Sequence, residues 1–246
     1  MNRITEAVKH LIIINVIMFL ITMFVNPGLQ NTLALHFPLN PEFGFWQYIT
    51  SMFMHSQTTI FHILFNMYAL WAFGTPMEQI WGTKKFVFFY FSAGLGAGAI
   101  YTLANYYQYI SIYDDLKNIG LTATDINTIL TEGKYNTSIL QHISEKKLSE
   151  FWGTFNSTAV GASGAVYGVL VAFGLYFPNA KLALIFFPVP ISAKYFIPVL
   201  ILLDLFMGVS GYNFGIANFA HLGGALFGFI MAYYWKKNQF NHNRWN

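Results

Sequence analysis

Long apolar stretches separated by short polar ones dominate the chain: residues 10–41, 43–77, 86–113 and 151–180 contain no Asp, Glu, Lys or Arg. About 20 apolar residues cross a bilayer as a helix, so these windows predict membrane spans rather than the amphipathic stripes of a soluble fold. The first, residues 11–25, ends at Asn26-Pro27-Gly28, a helix stop, with no small-x-small cleavage site after it. It reads as an anchored span and not as a signal peptide. Further spans are predicted at about 60–73, 86–106 and 164–177, then a short one at 196–209 after Pro188 and Pro190, and a clear one at 214–235. The pattern is that of an all-α membrane protein of six transmembrane helices, since a transmembrane β-barrel shows short alternating segments instead.

Charge orients the spans. Arg3, Lys9, Lys84, Lys85, Lys181, Lys194, Lys236, Lys237 and Arg244 fall in the termini or in the loops after the second and fourth spans. The positive-inside rule makes those segments cytoplasmic. The remaining lysines, Lys117, Lys134, Lys146 and Lys147, lie with six acids between residues 107 and 158. That stretch is a net-acidic insert on the outer side between the third and fourth helices, longer than ordinary connections. The chain therefore reads as a single membrane domain, 1–246, carrying the 107–158 insert, with both termini cytoplasmic. Tyr233, Tyr234 and Trp235 form an interfacial belt.

Composition narrows the function. Only 9% of the residues are charged and 55% are hydrophobic, against roughly 25% charged in an average soluble domain, which excludes a water-soluble enzyme. A net charge of +3 is too small and too spread for a nucleic-acid partner. The absence of cysteine excludes disulfides and thiolate metal sites.

Polar groups inside a bilayer are costly, so those within the spans are informative. Gly161-Ala162-Ser163-Gly164 opens the fourth span. A serine there has its backbone N–H at the positive end of a helix, where a developing oxyanion is stabilised, although glycines four apart also serve as a packing face. It is not a hydrolase nucleophile elbow, because position 165 is Ala. In the sixth span, Ala220, Gly224 and Gly228 share a face that admits a close helix, and His221 lies beside it. A serine needs such an imidazole to become nucleophilic. His62 and Asn66, one turn apart in the second span, serve either interhelical hydrogen bonding or an oxyanion. Tyr167, one turn after Ser163, either packs or supports the imidazole. A His-Glu-x-x-His zinc site is absent, since Ile63 and Asn66 occupy the places of its glutamate and second histidine. An aspartyl mechanism lacks its second acid, since only Asp204 lies well inside a span.

Together, His62-x-x-x-Asn66, Gly161-x-Ser163-Gly164 and Ala220-His221-x-x-Gly224-x-x-x-Gly228, in that order and in those spans, resemble the rhomboid intramembrane serine proteases. The similarity covers about 5–106 and 157–240, including Trp46-Gln47-Tyr48, Glu78 and the stretch 188–195. The resemblance implies a Ser-His dyad, with Ser163 as nucleophile and His221 as general base and then acid. It gives His62, Asn66 and the Ser163 N–H to the oxyanion, and Tyr167 to the support of His221. It implies single-span membrane proteins as substrates, cut near the outer membrane face, with no metal or cofactor and an inner membrane of bacterial type as the location. Gln47 stands where the family commonly has an arginine after Trp46, and the insert is longer than in a compact bacterial rhomboid. The short fifth span argues against Asp204 as a third catalytic group, and the family works with two residues. On that reading Asp204→Asn keeps cleavage within about tenfold of wild type, far from the loss of a triad. The rival readings are a non-proteolytic relative that binds and escorts membrane proteins, and a small-solute transporter or channel.

Overall fold

The computed structural model of the chain describes residues 3–184, 187–210 and 218–238. Among them the chain is predominantly helical, and three helices are long and apolar enough to cross a membrane by length and composition: Glu6–Val25, Thr83–Asn118 and Ala193–Ser210. The first consists of α1 (Glu6–Leu20) and a π-helical turn, Ile21–Val25. Two short helices, α2 (Leu29–Leu33) and α3 (Gln47–Thr50), punctuate the following loop. The predicted second span is α4 (Phe61–Ala69), a π-turn at Leu70–Gly74 and α5 (Thr75–Trp81), running without a break. Pro76 near the start of α5 offers no N–H to the preceding turn, and the ladder widens there.

The helix that carries the third predicted span runs beyond it. Helix α6 runs from Thr83 to Asn118, about 54 Å at about 1.5 Å per residue, against about 30 Å of hydrocarbon core. Past residue 106 it continues because Tyr109, Ile112 and Leu116 recur on one buried face. That face packs with α7 (Ala123–Glu132) and α8 (Glu145–Asn156) in a separate core built on Ile126, Ile129, Leu148 and Phe151. The insert starting at 107 is therefore helical from its first residue. Phe37 of the first loop joins its core; the Asn40 side-chain amide donates to the Phe155 carbonyl at 2.9 Å, and Leu35 bridges Ala159.

Helix α9 (Ser163–Tyr176) covers the predicted fourth span, a shorter apolar helix of 14 residues. After it comes a departure from an all-α chain, the antiparallel hairpin of β1 (Lys181–Leu184) and β2 (Phe187–Ser192), pairing Lys181 with Ser192. Pro188 and Pro190 bar a helix in β2 but are tolerated where one strand edge needs no partner. Helix α10 (Ala193–Ser210) covers the predicted fifth span and carries Pro198 inside it. The sixth appears as α11 (Asn218–Asn238); residues 214–217, Gly211 and Arg244 lie outside the described residues.

Buried polar side chains lock the bundle where hydrophobicity alone gives no register. Glu78 accepts the Ala7 and Val8 N–H groups at 2.9 and 3.0 Å and the Thr83 hydroxyl at 2.8 Å, so it satisfies the start of α1 and holds it to α5 and α6. Gln47, fully buried, accepts the His36 N–H at 3.1 Å and donates to the Thr32 and Glu42 carbonyls at 3.2 and 2.8 Å. The loop is thus tethered by an amide in the position after Trp46, with no arginine.

Candidate active site

Helix α11 packs against α9 and α6, and the contact with α9 is made by backbone. A Cβ added at Gly224 would fall on the Gly164 carbonyl, and one at Gly228 on the Gly168 backbone. Only glycine permits this approach, and it brings two side chains 58 positions apart into hydrogen-bond reach: His221 Nε2 lies 2.9 Å from Ser163 Oγ.

Ser163 is the first residue of α9, so its N–H is among those left without an intrahelical partner. The turn before it is fixed from two sides. Gly161 donates to the Ser51 carbonyl at 2.9 Å, and Ala159 pairs with Leu35. Gly161 has φ +127°, a left-handed conformation that disfavours side chains, and a Cβ there would stand 2.9 Å from His62 Nε2 and 3.5 Å from Ser163 Oγ. The bare glycine keeps open the space between the serine and His62.

The tautomer of His62 follows from its neighbours. Its Nδ1 accepts the Ser56 N–H at 3.1 Å, which places the ring proton of the neutral form on Nε2, the nitrogen facing Gly161. His55 stands edge-on to it with ring centroids 5.2 Å apart. Burial first, then the neighbouring His62, pushes His55 down to about 3. It is therefore a neutral brace, its Nε2 2.9 Å from Asn15 Oδ1 on α1. Asn66 is buried, and its amide donates to the His62 carbonyl at 2.8 Å within the helix. The structure thus gathers Ser163, His221 and His62, whereas the bond Asn66 makes is to its own helix.

Tyr167 stacks flat on the His221 ring, with centroids 4.2 Å apart and 9° between planes. The short fifth span argues against Asp204 as a third catalytic group, yet the structure brings its side chain to the histidine. Its Oδ1 lies 3.4 Å from His221 Nδ1 and accepts the Asn218 amide at 3.0 Å. Its facing depends on the rotation of α10, which an apolar sequence of that length does not encode. The signal that finds Asp204 is its rarity, since an ionisable group within a span calls for a named partner.

Among the described residues, no group of three or more His, Asp or Glu side chains is arranged to hold a metal ion. A helix-start serine hydroxyl, an imidazole and an adjacent N–H donor are the groups that acyl transfer uses.

Comparison with known proteins gives the family. The presenilin-associated rhomboid-like protein, mitochondrial, of Homo sapiens is 28% identical over 240 residues, covering 95% of this chain and 51% of that protein. Rhomboid protein 1, mitochondrial, of Saccharomyces cerevisiae is 27% identical over 192 residues, 77% of this chain and 41% of the relative. Rhomboid protease AarA of Providencia stuartii is 28% identical over 197 residues, 76% of this chain and 54% of the relative. The chain spans about half the length of these curated relatives. The family model described as the Rhomboid domain matches residues 42–238, most of the sequence, and the chain belongs to the rhomboid family.

Proposed function

We propose that the protein is an intramembrane serine endopeptidase that cuts single-span membrane proteins near the outer membrane face. The observation that carries this reading is the 2.9 Å approach of His221 Nε2 to a serine hydroxyl at a helix start. Ser163 Oγ attacks the scissile carbonyl as its proton passes to His221 Nε2. The oxyanion of the tetrahedral intermediate takes hydrogen bonds from the Ser163 N–H, the His62 Nε2–H and the second amide hydrogen of Asn66. His221 returns the proton to the leaving amine as the C–N bond breaks, and water then hydrolyses the acyl-enzyme by the same base.

The topology that fits is six spans: α1 with its π-turn, α4 with α5, the first two thirds of α6, α9, α10 and α11. Both termini face the cytoplasm of an inner membrane of bacterial type, and the 107–158 insert lies outside as part of one membrane domain. Ser163 then opens toward the outer face, where water enters. Expression beside a tagged single-span reporter tests the reading. Ser163→Ala and His221→Ala each abolish cleavage while leaving membrane insertion intact, and a fluorophosphonate labels Ser163 in the wild type. Undiminished cleavage by either variant removes the assignment, and insertion without labelling or cleavage favours the non-proteolytic binder.

A further inference from the structure

An aspartate in the middle of an apolar helix needs a reason. Helix α10 carries no other charged side chain past Lys194, and Asp204 is buried. Its Oδ1 is shared between the Asn218 amide at 3.0 Å and His221 Nδ1 at 3.4 Å, while the buried Oδ2 makes no hydrogen bond of good geometry and has the Tyr167 side chain as the further polar group interacting with the carboxylate. As a structural device this is poor. A neutral amide at 204 would bond Asn218 equally well, whereas a carboxylate with one oxygen short of a good hydrogen bond carries a desolvation cost.

Chemistry at His221 supplies the reason. The imidazole has Ser163 Oγ on Nε2, the Asp204 carboxylate on Nδ1 and the Tyr167 ring against its face. A carboxylate only accepts, so the Nδ1 facing it carries the proton and Nε2 is left with its lone pair toward the serine hydroxyl. Three contacts thus fix position, plane and tautomer, and the anion stabilises the imidazolium formed when Ser163 gives up its proton. A separation of 3.4 Å is long for a finished hydrogen bond, as is common in catalytic sites without substrate.

We infer that Asp204 is a positioning residue for the proposed protease, completing a Ser163–His221–Asp204 relay in which it holds the productive tautomer of His221. The inference rests on the protease reading and deepens it. It also reverses the sequence-based expectation of a loss within tenfold.

The test uses the full chain in detergent or liposomes with a cleavable single-span substrate. Asp204→Asn preserves size but removes the charge: with its oxygen kept on Asn218 and Nδ1 it lacks the anion that stabilises the imidazolium, and with its NH2 turned to Nδ1 it favours the opposite tautomer. In a soluble triad the corresponding change costs about 10,000-fold in turnover. The expected result is a fall in kcat of at least about 100-fold, with KM within about threefold and an unchanged melting temperature. Asp204→Glu, which keeps the charge, recovers at least about tenfold over Asn. A loss in kcat under about 100-fold, or equal activity of the Glu and Asn variants, overturns the inference. Should Asp204→Asn fail to insert, 15N spectra of histidine-labelled wild type decide, with His221 assigned by difference from His221→Asn. A proton on Nδ1 and none on Nε2 supports the relay, and the reverse overturns it. Ser163→Ala is run alongside. If it still cleaves, the protease reading itself falls; if it is dead while Asp204→Asn is fast, only the relay falls.

Discussion

On the proposed topology, the α9–α11 contact and the core of the insert solve one problem, holding helices together, in two solvents. At α9–α11 the helices meet on Gly164, Gly168, Gly224 and Gly228, backbone against backbone. Lipid gives apolar side chains no reason to leave it, so close packing by small residues replaces hydrophobic burial. In the insert, Phe151 stacks on Tyr109 with ring centroids 5.0 Å apart, over Ile126, Ile129 and Leu148. Its helices α7 and α8 start on Thr122 and Ser144, whose side chains cap them as in a soluble protein. The serine and histidine sit on the glycine contact, which tolerates no added atom, and none of the candidate site residues lies in the insert.

A paired substitution breaks the comparison most sharply. Gly224→Val places a branched side chain on the Gly164 carbonyl, and no rotamer relieves a clash with backbone. Cleavage is lost, and the detergent-solubilised protein loses its cooperative thermal transition. Phe151→Ala, at a fully buried position, removes about 3–5 kcal/mol from the insert yet leaves cleavage within about tenfold. Loss of cleavage on Phe151→Ala would make the insert part of the site's scaffold.

A smaller effect distinguishes the donors beside the contact. Removing one oxyanion donor costs about 100- to 1000-fold in turnover, and the Ser163 N–H remains in each variant. His62→Ala falls in that range, because its Nε2 faces the space that Gly161 leaves open. Asn66→Ala falls less, because one amide hydrogen is already spent on the His62 carbonyl. Wild-type turnover in both, with only a lowered melting temperature, would make the pair structural.

What the sequence reveals follows the same division. Gly164 and Gly168, and Ala220, Gly224 and Gly228, small residues at a spacing of four, mark the close contact and so pair Ser163 with His221, because small residues on one face have few other uses in a span. Charge-free windows locate helices α1, α4, α6 and α9, and the lysine count proposes an orientation for them. Three features escape. The extension of α6 to Asn118 rides on Tyr109, Ile112 and Leu116, which lie among tyrosines that equally suit an interface. The 181–192 hairpin follows from prolines that say only where a helix stops. Asp204 depends on how α10 rotates. That helix is apolar on every side, so no amphipathic stripe indicates which residue meets α11, and its role needed coordinates.

The smallest effect belongs to the start of α7 and is confined to the insert. The Thr122 hydroxyl accepts the Asp125 N–H at 3.2 Å, and the Asp125 carboxylate accepts the Thr122 N–H at 2.9 Å and its hydroxyl at 2.6 Å. These bonds, the hydroxyl's first and the backbone's second, hold the Asp125 carboxyl below its ordinary range. A carboxylate with a depressed folded-state pKa stabilises the fold above its unfolded value, about 3.9, and loses that contribution as pH falls through the folded value. Acid therefore weakens the α7 cap, whereas contacts of glycine on glycine have nothing to titrate. Amide exchange over 122–132, corrected for intrinsic rates, should accelerate below about pH 4 in the wild type. In Thr122→Ala it should already be fast at neutral pH, with exchange in α9 and α11 unaltered and cleavage within about twofold of wild type. A loss of more than about tenfold on so remote a change would mean that the insert and the glycine contact open as one cooperative unit, and the division between two solvents would no longer describe the molecule.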